Sequence, residues 1–313
     1  MRVAGTSYTD SLASQINVLA AKQYKLQNQA TTGQSITAPE DDPAGIAQAL
    51  GLQTDASNVA QYAQNISTLQ NHSNQVADAL SRLKTISDKV SEIAVGSDGA
   101  STSGELQANA STTTQLIQQA VDIMNSKDGD QYIFGGTASG QPPFAMTKDA
   151  NGNVTGVTYQ GNTSVADKEI GQNSTITVDA PGENNSGTGA RGVVSDSRYG
   201  ADFFNHMISL QNHLLSGDTT SISSVDDPNL IKDSDNIIYQ VSNNGAALSR
   251  LDLAASAAST RQSALNTSLT NVAGADLTQT LTQLTQAQNA YQIALQSSSN
   301  IMQLRSSVLT NLP

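Results

Sequence analysis

Several side chains in this sequence could do chemistry. Glu40, Asp41 and Asp42 stand together before Pro43 in "SITAPEDDPAGIAQAL", and neighbouring carboxylates can serve as an acid and a base or as half of a metal site. Asp226 and Asp227 precede Pro228 in the same arrangement. The histidines are His72, His206 and His213. His206 and His213 are two helical turns apart, about 10 Å along an axis, which is too far to share one metal, and no third ligand is spaced with them. They read as surface or partly buried helical residues. Asp149, Asn151 and Asn153 imitate the first ligands of a calcium loop. That loop also needs Gly at its sixth position and Glu at its twelfth, where Val154 and Gln160 stand, so a polar hairpin turn is expected. A polysaccharide-cleaving enzyme would need two carboxylates at close range in a cleft; Asp179 and Glu183 are nearest in sequence, but they flank a turn. No phosphate-loop, HExxH or GxSxG motif occurs. No catalytic residue, metal or cofactor is expected, and the chain is not read as an enzyme.

The repeated Asp-Pro pair gives the acids a simpler role. Aspartate before proline is an N-cap followed by the first helical residue: the carboxylate accepts a bond from a free N–H of the first turn, and proline already holds the required φ. Asp42 and Pro43 are therefore expected to start one helix, and Asp227 and Pro228 another.

Composition points the same way. Of 313 residues, 13% are charged and 4% aromatic, with no Trp and no Cys. Few aromatics make a deep rigid pocket hard to build, and the absence of cysteine removes disulfides and thiolate chemistry. The net charge of −12 argues against nucleic acid, which calls for a basic footprint. Asp128–Asp235 holds 14 acids and 5 bases, whereas the first 38 residues carry +2 and the last 44 are neutral. The middle is thus acidic and solvated, and the ends are nearly uncharged. No run of apolar residues is long enough to cross a bilayer, and the N-terminus lacks the apolar region of a cleaved signal peptide. Membrane insertion is not expected.

The apolar spacing predicts long helices. Val59, Tyr62, Ile66, Leu69, Ser73, Val76, Leu80, Leu83, Ser87, Val90 and Ala94 alternate by three and four residues, the pattern of a coiled-coil seam. "GSDGASTSG" at Gly96–Gly104 breaks it, and Leu106, Asn109, Thr113, Leu116, Ala120 and Ile123 return as the second arm of an antiparallel hairpin. Ile237, Val241, Leu248, Leu251, Leu265, Leu269 and Val272 form another helix, with a weak point at Gly274. Terminal stripes follow: Leu12, Ile16, Leu19 and Leu26 in front; Leu281, Leu284, Tyr291, Leu295, Met302 and Leu309 behind. A single stripe is too narrow to fold alone, so the ends are expected to pair with each other and with further copies or relatives. Between residues 132 and 228 the text is Gly-rich and holds all four Phe. Asn151-Gly152 predicts a type I′ hairpin, "STITVDAPGE" a strand, and "GENNSGTGARG" a mobile loop.

The fold class expected is mainly α with an inserted β-rich domain, built on a long coiled-coil-like antiparallel helix bundle formed by both termini. The division expected is 1–42 plus 277–313 as a terminal assembly domain, 43–131 plus 229–276 as the bundle core, and 132–228 as the outward insertion.

This layout, with "TTGQSITAPEDDPAGIAQAL", resembles the flagellin superfamily. "NSKDGDQYIFGGTASGQPPF", with Tyr132, Ile133, Phe134, Gly135, Gly136, Thr137, Pro143 and Phe144, and the C-terminal "QNAYQIALQ" around Tyr291, resemble its hook-associated branch, as does the opening Met1-Arg2-Val3. The resemblance covers the helical two thirds of the chain. It implies a structural protein of the bacterial flagellum, at the junction between hook-associated protein 1 and the flagellin filament, with a filament flagellin as the alternative. It also implies self-association in a ring, terminal segments disordered until assembly, a flagellar export chaperone, and an extracellular location reached through type III export without a cleaved signal.

Overall fold

The computed structural model describes residues 3–97 and 99–310, with side chains described for 10–97 and 99–304. Seven α-helices are described: α1 (Val3–Thr32), α2 (Pro43–Gly96), α3 (Ser103–Met124), α4 (Phe203–Ser216), the short α5 (Thr219–Ser221), α6 (Asp227–Ala273) and α7 (Leu277–Thr310). Between α3 and α4 lie the short strands β1 (Lys127–Asp128), β2 (Gln131–Tyr132), β3 (Phe144–Lys148), β4 (Val154–Tyr159), β5 (Lys168–Gly171), β6 (Ser174–Ile176), β7 (Glu183–Asn184), β8 (Ser195–Asp196) and β9 (Ala201–Asp202). They make three antiparallel pairs, β1-β2, β3-β4 and β5-β6, and a three-stranded sheet β7-β8-β9 whose first pair is parallel.

Two compact units result. One runs up to Val59 and resumes at Thr260; the other is Ala60–Ser259. In the second unit the expected seam of α2 is buried without interruption from Ile66 to Ala94, Ser73 and Ser87 included. The α2–α3 turn closes with a capping box that spacing alone would have revealed: Thr102 Oγ accepts from Glu105 N at 3.3 Å, and Glu105 Oε2 accepts from Thr102 N at 2.7 Å. The β-rich insertion has no separate core. Phe134, Phe144, Val154, Val193 and Val194 share one cluster with α2, α3, α4 and the start of α6. A sheet of two-residue strands buries too little to stand alone, so residues 132–228 are built into this unit rather than hung from it. A satellite cluster joins Ile66 and Leu69 to Ile170, Ile176, Val178 and Leu251.

Three sequence expectations fail here. Asp227 is no N-cap: its φ of −58° and ψ of −49° are helical, and its N–H donates to the Ile222 carbonyl across a π-helical turn, Ile222–Asp226. Proline at 228 has no N–H and would crowd the carbonyl four residues back in α geometry; the wider π turn before it absorbs that conflict, so helix continues through the pair. Asp218 does the capping instead, accepting from Ser221 N at 3.1 Å. The Asn151-Gly152 turn is not type I′, which needs positive φ at both residues. Only Gly152 has it, at +88°, and its N–H donates to the Asp149 carbonyl at 3.1 Å. This is a type I turn followed by a glycine bulge, and the β3–β4 register slips next to it. The "GENNSGTGARG" loop is tied down: the buried Asn184 donates its Nδ2 to the carbonyls of Thr188 and Ala190, each at 2.6 Å.

The buried side of α6 is mixed: Leu230 and the expected Ile237, Leu251 and Leu265 face inward, but so do Asp233, Asn236, Gln240 and Asn244, and the expected core residue Val241 is exposed. The targets of these polar side chains are backbone groups. Asn236 Nδ2 donates to the Gly192 and Val193 carbonyls, Gln240 Nε2 to those of Arg191 and Gly192, and Asn244 Nδ2 to Ser73 O on α2. An irregular loop against a helix leaves carbonyls that only side chains can satisfy.

Candidate assembly surface

The "EDDPAG" stretch lies in the first unit, and each of its residues has a mechanical task. Asp42 caps α2: its Oδ1 accepts from Ala44 N at 3.1 Å and Gly45 N at 2.9 Å. Pro43 opens the helix. Gly45 is buried, and a Cβ there would stand 2.5 Å from Asp42 Oδ2 and 2.7 Å from Ile36 Cδ1; the cap and the linker both close over a missing side chain. Asp41 ties the linker to α1, taking Lys25 Nζ at 2.5 Å on Oδ1 and the N–H groups of Thr37 and Ala38, each at 3.2 Å, on Oδ2. Lys25 first, and the Thr37 amide next, hold the Asp41 carboxyl down at about 2, from 3.8.

A second linker meets the first. Ser35 N donates to Ala273 O at 2.7 Å and Ala275 N to Gly33 O at 2.9 Å, around an antiparallel bridge between Gln34 and Gly274. Asp276 then caps α7, accepting from Gln279 N at 3.0 Å. The end of α1 and the start of α7 are thereby held side by side, and the two helices pack along each other in antiparallel sense. Asp41→Asn is expected to loosen this joint. The carboxyl's contribution is full above pH 3.8 and lost as the pH falls through about 2, because its folded pKa is the lower one. Amide exchange of residues 33–42 should therefore quicken in the variant at neutral pH, and in the wild type only in strong acid.

The joint positions the helix pair that carries the predicted assembly residues. Along α7 the inward positions are Thr280, Leu284, Ala287, Tyr291, Ala294, Ser298 and Ile301, spaced four and three. Along α1 they are Leu12, Ile16, Leu19, Gln23, Leu26 and Ala30. Small residues on α7 let the backbones come close. Leu12, Ile16, Leu19, Leu26, Leu284 and Tyr291 are thus partly or fully covered within this unit. Leu281, Leu295 and Met302 are not: they are 53%, 44% and 59% exposed. The Leu309 side chain, like Met1 and Arg2, lies outside the described residues. Sequence periodicity did not single out Val18, Tyr24, Ile293 and Leu304, which are exposed as well. From Leu277 to Leu304 there is no charged residue at all. Scattered exposed apolar residues need no explanation, but a whole uncharged helix face carrying several marks a surface that becomes covered.

The chemical candidates are accounted for by local pairing. His206 Nδ1 lies 2.7 Å from the buried Asp233, which also accepts from Asp202 N at 2.7 Å. Burial opposes the charge on His206, but the bond and charge of Asp233 raise its pKa overall; burial likewise pushes Asp233 up. His213 Nδ1 lies 2.6 Å from Asp226, whose other oxygen accepts from Ser209 Oγ at 2.7 Å. Asp179 faces His72, whereas Glu183 bonds Asn185, so the two acids serve different partners. Asp149 folds back on the N–H groups of Asn151 and Asn153, at 2.9 and 2.8 Å. Among the described residues no group of three or more His, Asp or Glu could hold a metal ion. No described helix is long and apolar enough to cross a membrane.

The "NSKDGDQYIFGGTASGQPPF" stretch forms a knot where α3 meets the insertion. Its two ends are clipped together: Phe144 N donates to Asn125 Oδ1 and Asn125 Nδ2 donates to Phe144 O, both at 2.9 Å. Phe134 and Phe144 are buried, with Phe144 5.1 Å from the Tyr159 ring and 5.3 Å from Phe204. The Tyr159 hydroxyl shares its proton between the carbonyls of Phe134 and Asn162, at 3.0 and 2.9 Å. Thr137 N donates to Ser164 O and to Asn162 Oδ1, each at 3.0 Å. Gly136, at φ +64°, passes so close that a Cβ would stand 2.3 Å from Asn162 O. Tyr132 and Ile133 tie back to Ser139 O and Ser126 O, and the Pro143 carbonyl takes Gln160 N.

No family model matches the chain. Over 163 residues it is 29% identical to flagellar hook-associated protein 3 of Salmonella typhimurium, a match covering 51% of each chain; the chain thus spans about half the length of this curated relative. Its fold is that of solved FlgL-type structures. A flagellar hook-associated protein of Vibrio parahaemolyticus superposes with a TM-score of 0.63 at 16% identity, over 75% of this chain and all of that one. Hook-associated protein 3 of Legionella pneumophila gives 0.59 at 13%, over 71% and 98%, and FlgL of Bacillus cereus 0.55 at 18%, over 70% and 99%.

Proposed function

We propose that this chain, similar to hook-associated protein 3 in half its sequence and to FlgL in fold, is a structural subunit of the bacterial flagellum that joins hook-associated protein 1 to the flagellin filament. Copies assemble as a ring, after export through the flagellar route with a dedicated chaperone, and the product lies outside the cell. The observation that carries this reading is the uncharged face of α7, which leaves Leu281, Leu295 and Met302 in solvent while its other side is covered by α1. In the assembly this face packs on neighbouring copies and on the two flanking proteins. A chain without cysteine offers a direct test. Met302→Cys introduces one thiol, which a maleimide should label completely in the free protein and hardly at all in isolated flagella. Equal labelling in both would remove the α7 face from the assembly.

A further inference from the structure

His72 projects from α2 between two carboxylates that come from different parts of the insertion. Its Nδ1 is hydrogen-bonded at 2.9 Å to Asp128 Oδ2 in β1, and its buried Nε2 lies 2.9 Å from Asp179 Oδ1 in the segment after β6, within ion-pair reach but off the direction of a hydrogen bond. A neutral imidazole has one N–H and one lone pair, whereas an imidazolium has two N–H groups and no lone pair. Only the protonated ring can face a carboxylate at both nitrogens; a neutral ring must turn its lone pair toward one of them. The carboxylates sit at opposite ring nitrogens, so the three groups do not converge on a point where a metal could bind. We propose that His72 is a proton-operated clamp, which holds the segment around Asp179 onto α2 while charged and releases one carboxylate when it loses its proton.

The charges at the ring itself are these two carboxylates; the segment also rests on α2 through Ile176 and Val178 and takes Arg250 Nη2 of α6 on the Thr175 carbonyl at 3.5 Å, so the clamp adds to a contact that is already packed. On α2, Gln75 Nε2 donates to Asp128 Oδ1 at 2.8 Å and keeps that carboxylate in place. The neighbouring Lys127 ammonium is turned over the Tyr132 ring, 4.6 Å from its centroid. From α6 the neighbouring contact is the uncharged Asn244, bonded to Ser73 Oγ at 2.6 Å. Asp128 is thus held twice and Asp179 by the imidazole, so Asp179 is the carboxylate expected to leave. The close approach of Asp179 raises the His72 pKa above 6.5, against the burial that lowers it, and Asp128 adds to the rise. With a raised folded pKa, the clamp's stabilisation is complete below 6.5 and lost as the pH climbs through the shifted value.

The test follows the His72 Cε1–H resonance of the full-length chain by NMR from pH 5 to 9, with hydrogen-exchange protection of residues 174–182 measured over the same range. His72 should titrate above the ordinary histidine value. Protection of that segment should fall by up to about tenfold per pH unit between the ordinary and the shifted pKa, as expected for one linked proton. Asp179→Asn should return the His72 titration toward the ordinary value and flatten the pH profile. His72→Gln should flatten it too, and if that variant does not fold, Asp179→Asn alone decides. His72 titrating at or below the ordinary value, or protection that ignores its titration, would overturn the clamp.

Discussion

Replacing Leu281, Leu295 and Met302 together by aspartate is expected to abolish incorporation into flagella while leaving Ala60–Ser259 as stable as before. All three side chains are about half exposed in the free chain and lie outside Ala60–Ser259, so the substitutions remove no packing from that unit, and exposed changes usually stay within about 0.5 kcal/mol each. In an assembly that buries the α7 face, the same positions lose roughly 1.5–3 kcal/mol of burial each, and each brings a charge into an apolar contact. The effects add across neighbours, so even a modest loss per subunit suffices to empty the structure. Thermal unfolding of the purified variant, beside immunodetection in sheared flagella, separates the two outcomes. Normal incorporation would show that the face is not buried.

Gly136→Ala should be among the most damaging single methyls in the chain's second unit. Two penalties coincide there. The backbone stands at φ +64°, where a side chain is strained, and the new Cβ would lie 2.3 Å from the Asn162 carbonyl and 2.9 Å from that of Ser164. Neither neighbour is the free end of a flexible side chain, so backbone must move. The movement would break the Thr137 bonds to Asn162 and Ser164 and displace the Tyr159 hydroxyl, and with it the clip that seats Phe134. A loss of about 3–5 kcal/mol is expected, in the range reserved for strained backbone and broken buried networks. Denaturant melting measures it. Gly104→Ala, where a Cβ meets nothing within 4 Å, should by comparison be neutral or mildly favourable.

The helices were legible because their cause is local. The three-four spacing on α2 is the burial pattern itself, and the weak point at Gly274 is the gap between α6 and α7. The Asp42-Pro43 start was legible for the same reason, since cap and helix are neighbours in sequence. The identical letters at Asp227-Pro228 misled because a non-local need won: Asp226 is drawn inward to His213 and Ser209, and a π turn delivers it there. Periodicity held on α6 for Ile237, Leu251 and Leu265 and missed at Val241, where Asn236, Gln240 and Asn244 share the inward face. Their partners are carbonyls scattered between residues 73 and 193, invisible from the helix alone. For the assembly surface, spacing picked out both terminal stripes but could not say which half faces inward. Leu284 and Leu281 look alike in sequence, and only the pairing with α1 separates the covered residue from the exposed one. The His72 clamp joins residues 56 and 107 positions away, beyond any local signal.

A filament flagellin remains the alternative function, and it makes the opposite demand of the α7 face. A filament subunit must stack on itself without end; a junction subunit needs different neighbours above and below. Electron microscopy of the purified chain in concentrated sulfate, which strengthens apolar association, tests this most directly. The junction reading predicts no long filaments, with nothing larger than limited, closed assemblies. Long regular filaments from the chain alone would contradict it.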